Sequence, residues 1–207
     1  MDPALWYFDV VSPFAYLHYH TLRPLRERIE IRPVPVLFAG LLKHWGTKGP
    51  AEVPPKRLHT YQYCVWAASR LGVAFRMPAR HPFNPLAAQR LLIAVGATNE
   101  AVEKAFTFVY GEGRDPELDL DAFSERLEVT DPRQCIADPQ IKQQLLANTQ
   151  AAAGRGVFGV PTLAVGGRLF WGSDTVEWTT AFLDDPALFD KPEYRAAAGT
   201  QFGVARD

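Results

Sequence analysis

Cysteine is scarce in this chain of 207 residues, with only Cys64 and Cys135 present. They fall in separate helical segments with no CxxC pair and no Cys/His spacing, so neither a redox dithiol nor a zinc site is indicated. Two ordinary buried thiols are expected. A surplus of either charge is missing too. Lys+Arg 22 against Asp+Glu 23 leaves a formal net charge of −1. No segment is a run of like charge that could neutralise phosphates or an anionic membrane surface, so neither a nucleic acid nor a membrane is expected as a partner. The apolar runs stop far short of a membrane span, and the opening Met-Asp-Pro-Ala-Leu-Trp has no basic stretch followed by an apolar one. A cytoplasmic protein is expected. No GxSxG occurs, which removes the nucleophile elbow of a serine hydrolase. His18, His20, His44, His59 and His81 lack metal-pair spacing and are expected at the surface or in loops, with no metal site.

What is present is enough apolar material, 47% of the chain, to bury a full core. The stretch from Leu5 to Leu17 organises the rest. Trp6, Tyr7, Phe8, Val10 and Val11 form a short run of strand formers, and Ser12-Pro13 then supplies a helix N-cap and a first-turn proline. A helix beginning at the end of a parallel strand carries unpaired N–H groups and a partial positive charge, which favours an anion there. Ser12 presents its hydroxyl at that place, although a plain helix cap would look the same.

Further along, Ile29 to Leu37 alternates as a strand whose Pro33 and Pro35 send it to a sheet edge. From Ala39 to Pro55 the glycines and prolines read as a loop. A helix follows from Lys56, with Leu58, Tyr61, Val65, Ala68 and Leu71 as its apolar face and Gly72 closing it. Further helices are expected from Pro85 with Asn84 as cap, from Thr98, over about 119–128, and from Asp138-Pro139. Strand character returns at Gly159–Val165 and Arg168–Gly172, joined by Gly166-Gly167 as a tight hairpin, before Ser173-Asp174 caps a last helix. The tail after Pro186 reads as irregular. The order β-α-β, helical block, β-β-α predicts an α/β protein: a thioredoxin-like fold interrupted by an all-helical insertion domain. Its discontinuous thioredoxin-like domain comprises residues 1–38 and 154–207, and the insertion comprises 39–153.

Residues 154–159 fit GxGxxG as a string, but they follow a helix and precede a strand, the reverse of a dinucleotide site. Val160-Pro161 at the head of a strand is a candidate cis peptide that leaves the Val160 N–H and C=O free to pair with an extended, peptide-like ligand. A trans proline opening the strand is the alternative. Gly172-Ser173-Asp174 offers backbone N–H groups for a carboxylate and a carboxylate for an ammonium, or serves only as a cap.

Taken together, Ser12-Pro13-Phe14-Ala15-Tyr16-Leu17, Pro55-Lys56, Pro82-Phe83-Asn84, Gly156–Thr162 and Trp171-Gly172-Ser173-Asp174 resemble the 2-hydroxychromene-2-carboxylate isomerase family. That family is close to the kappa-class glutathione transferases and to DsbA-type thioredoxin folds. The resemblance, over about residues 5 to 183, implies glutathione as cofactor. The tripeptide would pair with Val160 beside Pro161, place its γ-glutamyl end at Ser173 and Asp174 and its glycyl end near Lys56, and point its thiol at Ser12. Ser12 is then the catalytic group that stabilises the glutathione thiolate. The DsbA cysteine positions hold Ser12 and Ala15 here, so dithiol exchange is excluded.

A small aromatic substrate is expected, with Phe38, Leu41, Trp45, Phe83 and Asn84 on its side, in a homodimer. Thr47, Gln62 and Val65 depart from residues common in the family, which bears on the substrate and the glycyl end. Two other readings stay open: a kappa-like transferase or peroxidase, and a non-catalytic thioredoxin-like module that binds peptides along the Val160 edge.

Overall fold

The computed structural model describes residues 2–201 and 203. Strand β1 (Ala4–Phe8) lies inside a four-stranded mixed sheet. It pairs in parallel with β2 (Ile31–Pro35), Trp6 opposite Pro33, and antiparallel with β3 (Thr162–Val165), Trp6 opposite Leu163. β4 (Arg168–Trp171) completes the order β2-β1-β3-β4. The two prolines of β2 do sit on an edge strand, where a missing N–H removes no ladder bond on the open side. A parallel pair needs a crossover. Helices α1 (Pro13–Thr21) and α2 (Arg23–Arg26), broken apart beside Pro24, supply it. At the hairpin, Gly166 and Gly167 have φ of +56° and +76°, as a two-residue turn between twisted strands requires.

Between β2 and β3 the chain is helical, with more helix than the sequence pattern suggests. Residues expected as loop form α3 (Phe38–Trp45). Its first N–H groups are satisfied from afar: Leu37 N–H donates to Thr149 Oγ1 (3.0 Å) and Phe38 N–H to Asp9 Oδ2 (2.9 Å). No local cap announces the helix, because its caps are tertiary.

Helix α4 (Pro54–Leu71) ends at Gly72 and buries Ala68 as expected, but much of the rest of its expected apolar face is turned outward. Thr60, Cys64 and Ala68 are buried, whereas Leu58, Val65 and Leu71 face solvent. Small side chains at i, i+4 and i+8 let α4 approach α1 closely, and the large apolar ones are left outside. There follow α5 (Leu86–Ala94), α6 (Asn99–Phe106), α7 (Leu120–Arg126), α8 (Pro132–Ala137) and α9 (Pro139–Gly154). Of these α8 has no counterpart in the sequence reading. The N-cap of α5 is Pro85 and not Asn84, one residue later than expected, although Asn84 Oδ1 accepts Leu86 N–H at 3.1 Å.

The last expected cap is displaced. Thr175, rather than Ser173-Asp174, precedes α10 (Val176–Asp184). The tail is not irregular over the described residues, since α11 spans Pro192–Ala198. Residue 202 and residues 204–207 of that tail lie outside the described residues.

The alternation of β1 sends Ala4, Trp6 and Phe8 into one core and Leu5 and Tyr7 toward another. The first core is continuous with the helical segment: Phe106 of α6 lies 5.7 Å from Phe8 and 6.1 Å from Trp6, ring centre to ring centre. The second packs Tyr7 with Val36, Leu41, Ala152, Val157 and Val160. His18 belongs to the first core region instead of the surface. It is fully buried and its Nδ1 accepts the Trp6 indole N–H at 3.2 Å. Burial, aided by the charge of Arg26, pushes its pKa down to about 3. Cys64 is buried, with its thiol pushed up to about 12 by burial, and Cys135 is half-buried.

Candidate active site

The chain leaves β1 at Phe8 and turns through Asp9-Val10-Val11 into α1. Ser12 is its N-cap, in an extended conformation (φ −92°, ψ 112°), and its Oγ accepts the Ala15 N–H at 3.2 Å. That bond fixes the oxygen and leaves the hydroxyl proton to point elsewhere. The only acceptor found for it among the described residues is the Val160 carbonyl at 3.5 Å, at the limit of hydrogen-bonding distance. Val160-Pro161 is cis, and the loop before β3 lies with the Val160 carbonyl against the start of α1. Gly172 N–H donates to the Pro161 carbonyl at 3.0 Å, which draws Gly172-Ser173-Asp174 to the same end of the sheet. Ser12, Val160 and Pro161 therefore come together from stretches some 150 residues apart, while Ser173 lies further along α1, its carbonyl 3.4 Å from Thr21 Oγ1.

Ser173 and Asp174 border a cleft of about 180 Å³ shared with Leu17, Tyr63, Trp66 and Arg70. Arg70 and Asp174 take part in no ion pair among the described residues. Lys56 stands exposed in the first turn of α4, likewise without an ion pair there.

The expected substrate-side residues divide. Leu41 is fully enclosed in the second core and Phe83 is 4% exposed in the first, so neither keeps side-chain surface for a ligand. Phe38 is half-buried, Asn84 is exposed and engaged with the start of α5, and Trp45 is 44% exposed. The Trp45 indole N–H donates to the Val157 carbonyl at 2.9 Å, beside the cis-proline loop.

Sequence reasoning missed an exposed aromatic pair on the other flank of that loop: Phe158 and Trp171 meet edge to face at 5.0 Å. Gly159 lies against Trp171, where a Cβ would come within 2.7 Å of the indole nitrogen. Two aromatic residues bracketing the Val160-Pro161 and Gly172 backbone were the available signal.

Behind Ser12 lies a buried polar layer that was also missed. Asp9 is fully buried and accepts Val11 N–H (3.0 Å) and Phe38 N–H (2.9 Å). Burial raises its pKa to about 7 against the opposing pull of those two hydrogen bonds. A lone carboxylate in an otherwise apolar strand run was the sequence signal. His81 lies in a loop as expected, between α4 and α5, but is half-buried and drawn in beneath the Ser12 turn between Tyr61 and Tyr110. Burial lowers its pKa, partly offset by its hydrogen bond to Val11 and the charge of Asp115. Among the described residues no group of three or more His, Cys, Asp or Glu could hold a metal ion.

A family model described as a DSBA-like thioredoxin domain matches residues 5–184. Glutathione S-transferase kappa 2 of Caenorhabditis elegans is 23% identical over 205 residues, covering 87% of this chain and 91% of its own. The 2-hydroxychromene-2-carboxylate isomerase of Pseudomonas putida is 30% identical over 181 residues, covering 82% and 88%. A solved 2-hydroxychromene-2-carboxylate isomerase shares the fold with a TM-score of 0.79 at 24% identity, covering 95% of this chain and 99% of its own. Because the family match spans the sheet, the Ser12 turn and the helical segment between them, the chain belongs to the DsbA-like thioredoxin family.

Proposed function

We propose that this protein is a glutathione-dependent isomerase of the 2-hydroxychromene-2-carboxylate isomerase type, acting on a small, conjugated aromatic substrate. The carrying observation is the state of the Ser12 hydroxyl. Its oxygen is anchored by Ala15 N–H, while its proton is held only by the distant Val160 carbonyl. Turning that proton toward an incoming anion gives up little. A hydrogen bond to a charged group contributes roughly 1.5 to 3 kcal/mol and a helix N-terminus roughly 0.3 to 1. At about 1.36 kcal/mol per pKa unit, together they bring a thiol of pKa about 8.5 down toward 6 or 7. The site suits an extended tripeptide. Val160 N–H has no hydrogen-bond partner among the described residues, and Ser173 and Asp174 border a cleft along α1 with Leu17 and Thr21.

When bound, glutathione supplies a thiolate that adds to a conjugated carbon and is later eliminated unchanged. The chain's own part is to hold the tripeptide along Val160 and Pro161, to receive its γ-glutamyl end at Ser173 and Asp174 and its glycyl carboxylate at Lys56, and to donate from Ser12 to sulfur. Trp45, Phe158 and Trp171 offer apolar surface to an aromatic ring beside that sulfur. The reading includes a cytoplasmic homodimer. No helix among the described residues is long and apolar enough to cross a membrane.

An ultraviolet titration of thiolate with glutathione bound tests this reading. In the parent the thiolate should persist about one to two pH units below the free thiol's pKa, and in Ser12→Ala that shift should vanish. Absence of saturable glutathione binding in the parent would sink the proposal. Kappa-type conjugation is a second reading, favoured by the kappa-class relative that matches over 87% of this chain. Product analysis separates the two: isomerisation returns glutathione, and conjugation consumes it.

A further inference from the structure

We propose that His81 is a positioning residue for Ser12, fixing with Tyr61 and Tyr110 the peptide that joins Val11 to Ser12. The inference rests on the role given to Ser12 in the proposed function. The Val11 carbonyl lies 2.6 Å from His81 Nε2 and accepts the Tyr110 hydroxyl proton at 2.7 Å. On the other side of the same peptide, Ser12 N–H donates to the Asp9 carbonyl at 3.0 Å. Val11 N–H, one peptide earlier, donates to Asp9 Oδ1 at 3.0 Å. The backbone entering Ser12 is thus held at both ends of one peptide and at the near end of the one before it.

The neutral Nε2–H tautomer serves both ring nitrogens, with the Tyr61 hydroxyl proton shared between His81 Nδ1 and the His81 carbonyl, which lies 3.0 Å away. A carbonyl can only accept, so His81 Nε2 carries the proton. In the neutral imidazole Nδ1 is then an acceptor, and the Tyr61 hydroxyl stands 2.6 Å from it. The neutral form suits a site where burial opposes the charge. The three side chains arrive from separate places: Tyr61 from α4, His81 from the connection between α4 and α5, and Tyr110 from the turn after α6.

Their joint target is neither the Ser12 hydroxyl nor the cleft. It is the peptide whose rotation would swing the Ser12 Cα–Cβ bond and move Oγ relative to the Val160 backbone. A displacement of about 1 Å at a reacting group can cost on the order of a hundredfold in rate. The helical segment therefore serves Ser12 directly, in addition to covering the sheet.

Two variants decide the matter. His81→Leu removes the donor to Val11. His81→Gln keeps an N–H where the imidazole Nε2–H stands and an acceptor for Tyr61. The first readout needs no ligand: amide hydrogen exchange by NMR at Ser12, with the strand amides of Trp6 and Leu163 as references. His81→Leu should speed exchange at Ser12 about tenfold or more and leave the references unchanged, and His81→Gln should stay near the parent. Unchanged exchange at Ser12, equal acceleration at all three amides, or a glutamine variant that behaves like leucine would each overturn the inference.

The second readout is the thiol pKa of bound glutathione, with S-methylglutathione as a control that carries no ionisable thiol. His81→Leu should raise the pKa by about one unit, a tenfold loss of thiolate at low pH, while S-methylglutathione affinity changes less than about twofold. Faster exchange at Ser12 with an unmoved thiol pKa also counts against it. If the parent itself binds no glutathione, the proposed function falls, and the exchange measurement still decides whether His81 positions Ser12.

Discussion

The sheet with its first helix and the helical segment between β2 and β3 are built by different rules. In the first region, signals close in sequence do most of the work. Ser12 caps α1 from the adjacent position, Gly166-Gly167 closes the hairpin, and the prolines of β2 assign it to an edge. In the second, decisive contacts come from far along the chain. α3 is capped by Asp9 and Thr149, and α4 turns small residues inward because α1 lies against it. Local rules give elements, and distant partners decide which face of each element is used.

The largest expected effect tests whether the two regions fold together. Phe106→Ala removes the ring that meets Trp6, Phe8, Tyr16 and Tyr19 across the shared core. It should cost about 3–5 kcal/mol in urea unfolding, with one transition seen by both far-ultraviolet dichroism and tryptophan fluorescence. Two separated transitions would show that the core does not couple the regions.

Next comes a pair of buried titrating groups with opposite signs. Asp9 has its folded pKa raised from 3.8 to about 7. Its contribution to stability is fully present below 3.8 and is lost as pH rises through about 7. His18 has its pKa lowered from 6.5 to about 3, so its contribution is present above 6.5 and is lost as pH falls through about 3. Between these unfolded values each slope approaches about 1.4 kcal/mol per pH unit, and the two oppose each other. Urea unfolding at a series of pH values should then give a shallow profile for the parent. Asp9→Asn should gain stability as pH rises across that window, and His18→Gln should lose it. Parallel profiles for the three proteins would break the assignment.

A smaller effect is expected from Thr149→Val, which deletes the remote acceptor for Leu37 N–H. About 1–2 kcal/mol should be lost, with faster amide exchange in the first turn of α3. If exchange there is unchanged, the tertiary cap is not what holds the helix. The smallest concerns the outward face of α4. Trp66, 59% exposed, should be replaceable by Gln with a stability change within about 0.5 kcal/mol. A loss of 2 kcal/mol or more at low protein concentration would mean that this face is covered within the monomer.

Much of the candidate site was legible. Ser12 could be read from its place between an apolar strand run and Pro13, and Val160-Pro161 from its place at the head of a strand. The cis peptide and the meeting of these two segments are both present in the structure. The layer behind them was not legible, because nothing local marks His81, Tyr61 and Tyr110 as partners of one carbonyl. The apolar character of Leu41 and Phe83 fits a ligand pocket and a core equally well, and burial assigns both to the core.

The sequence by itself determined the elements that local chemistry can specify: the β1-to-α1 switch at Ser12, the edge strand, the glycine hairpin, and the absence of a cysteine pair. Short-range hydrogen bonds, fixed proline geometry and the freedom of glycine act within a few residues, so they can be read from a few residues. Tertiary structure alone decided that α3 is a helix, that α4 buries Thr60 and exposes Trp66, and that Asp9 and His81 stand behind Ser12. Those outcomes depend on which distant donor, acceptor or helix face arrives, and that is fixed only when the chain closes on itself.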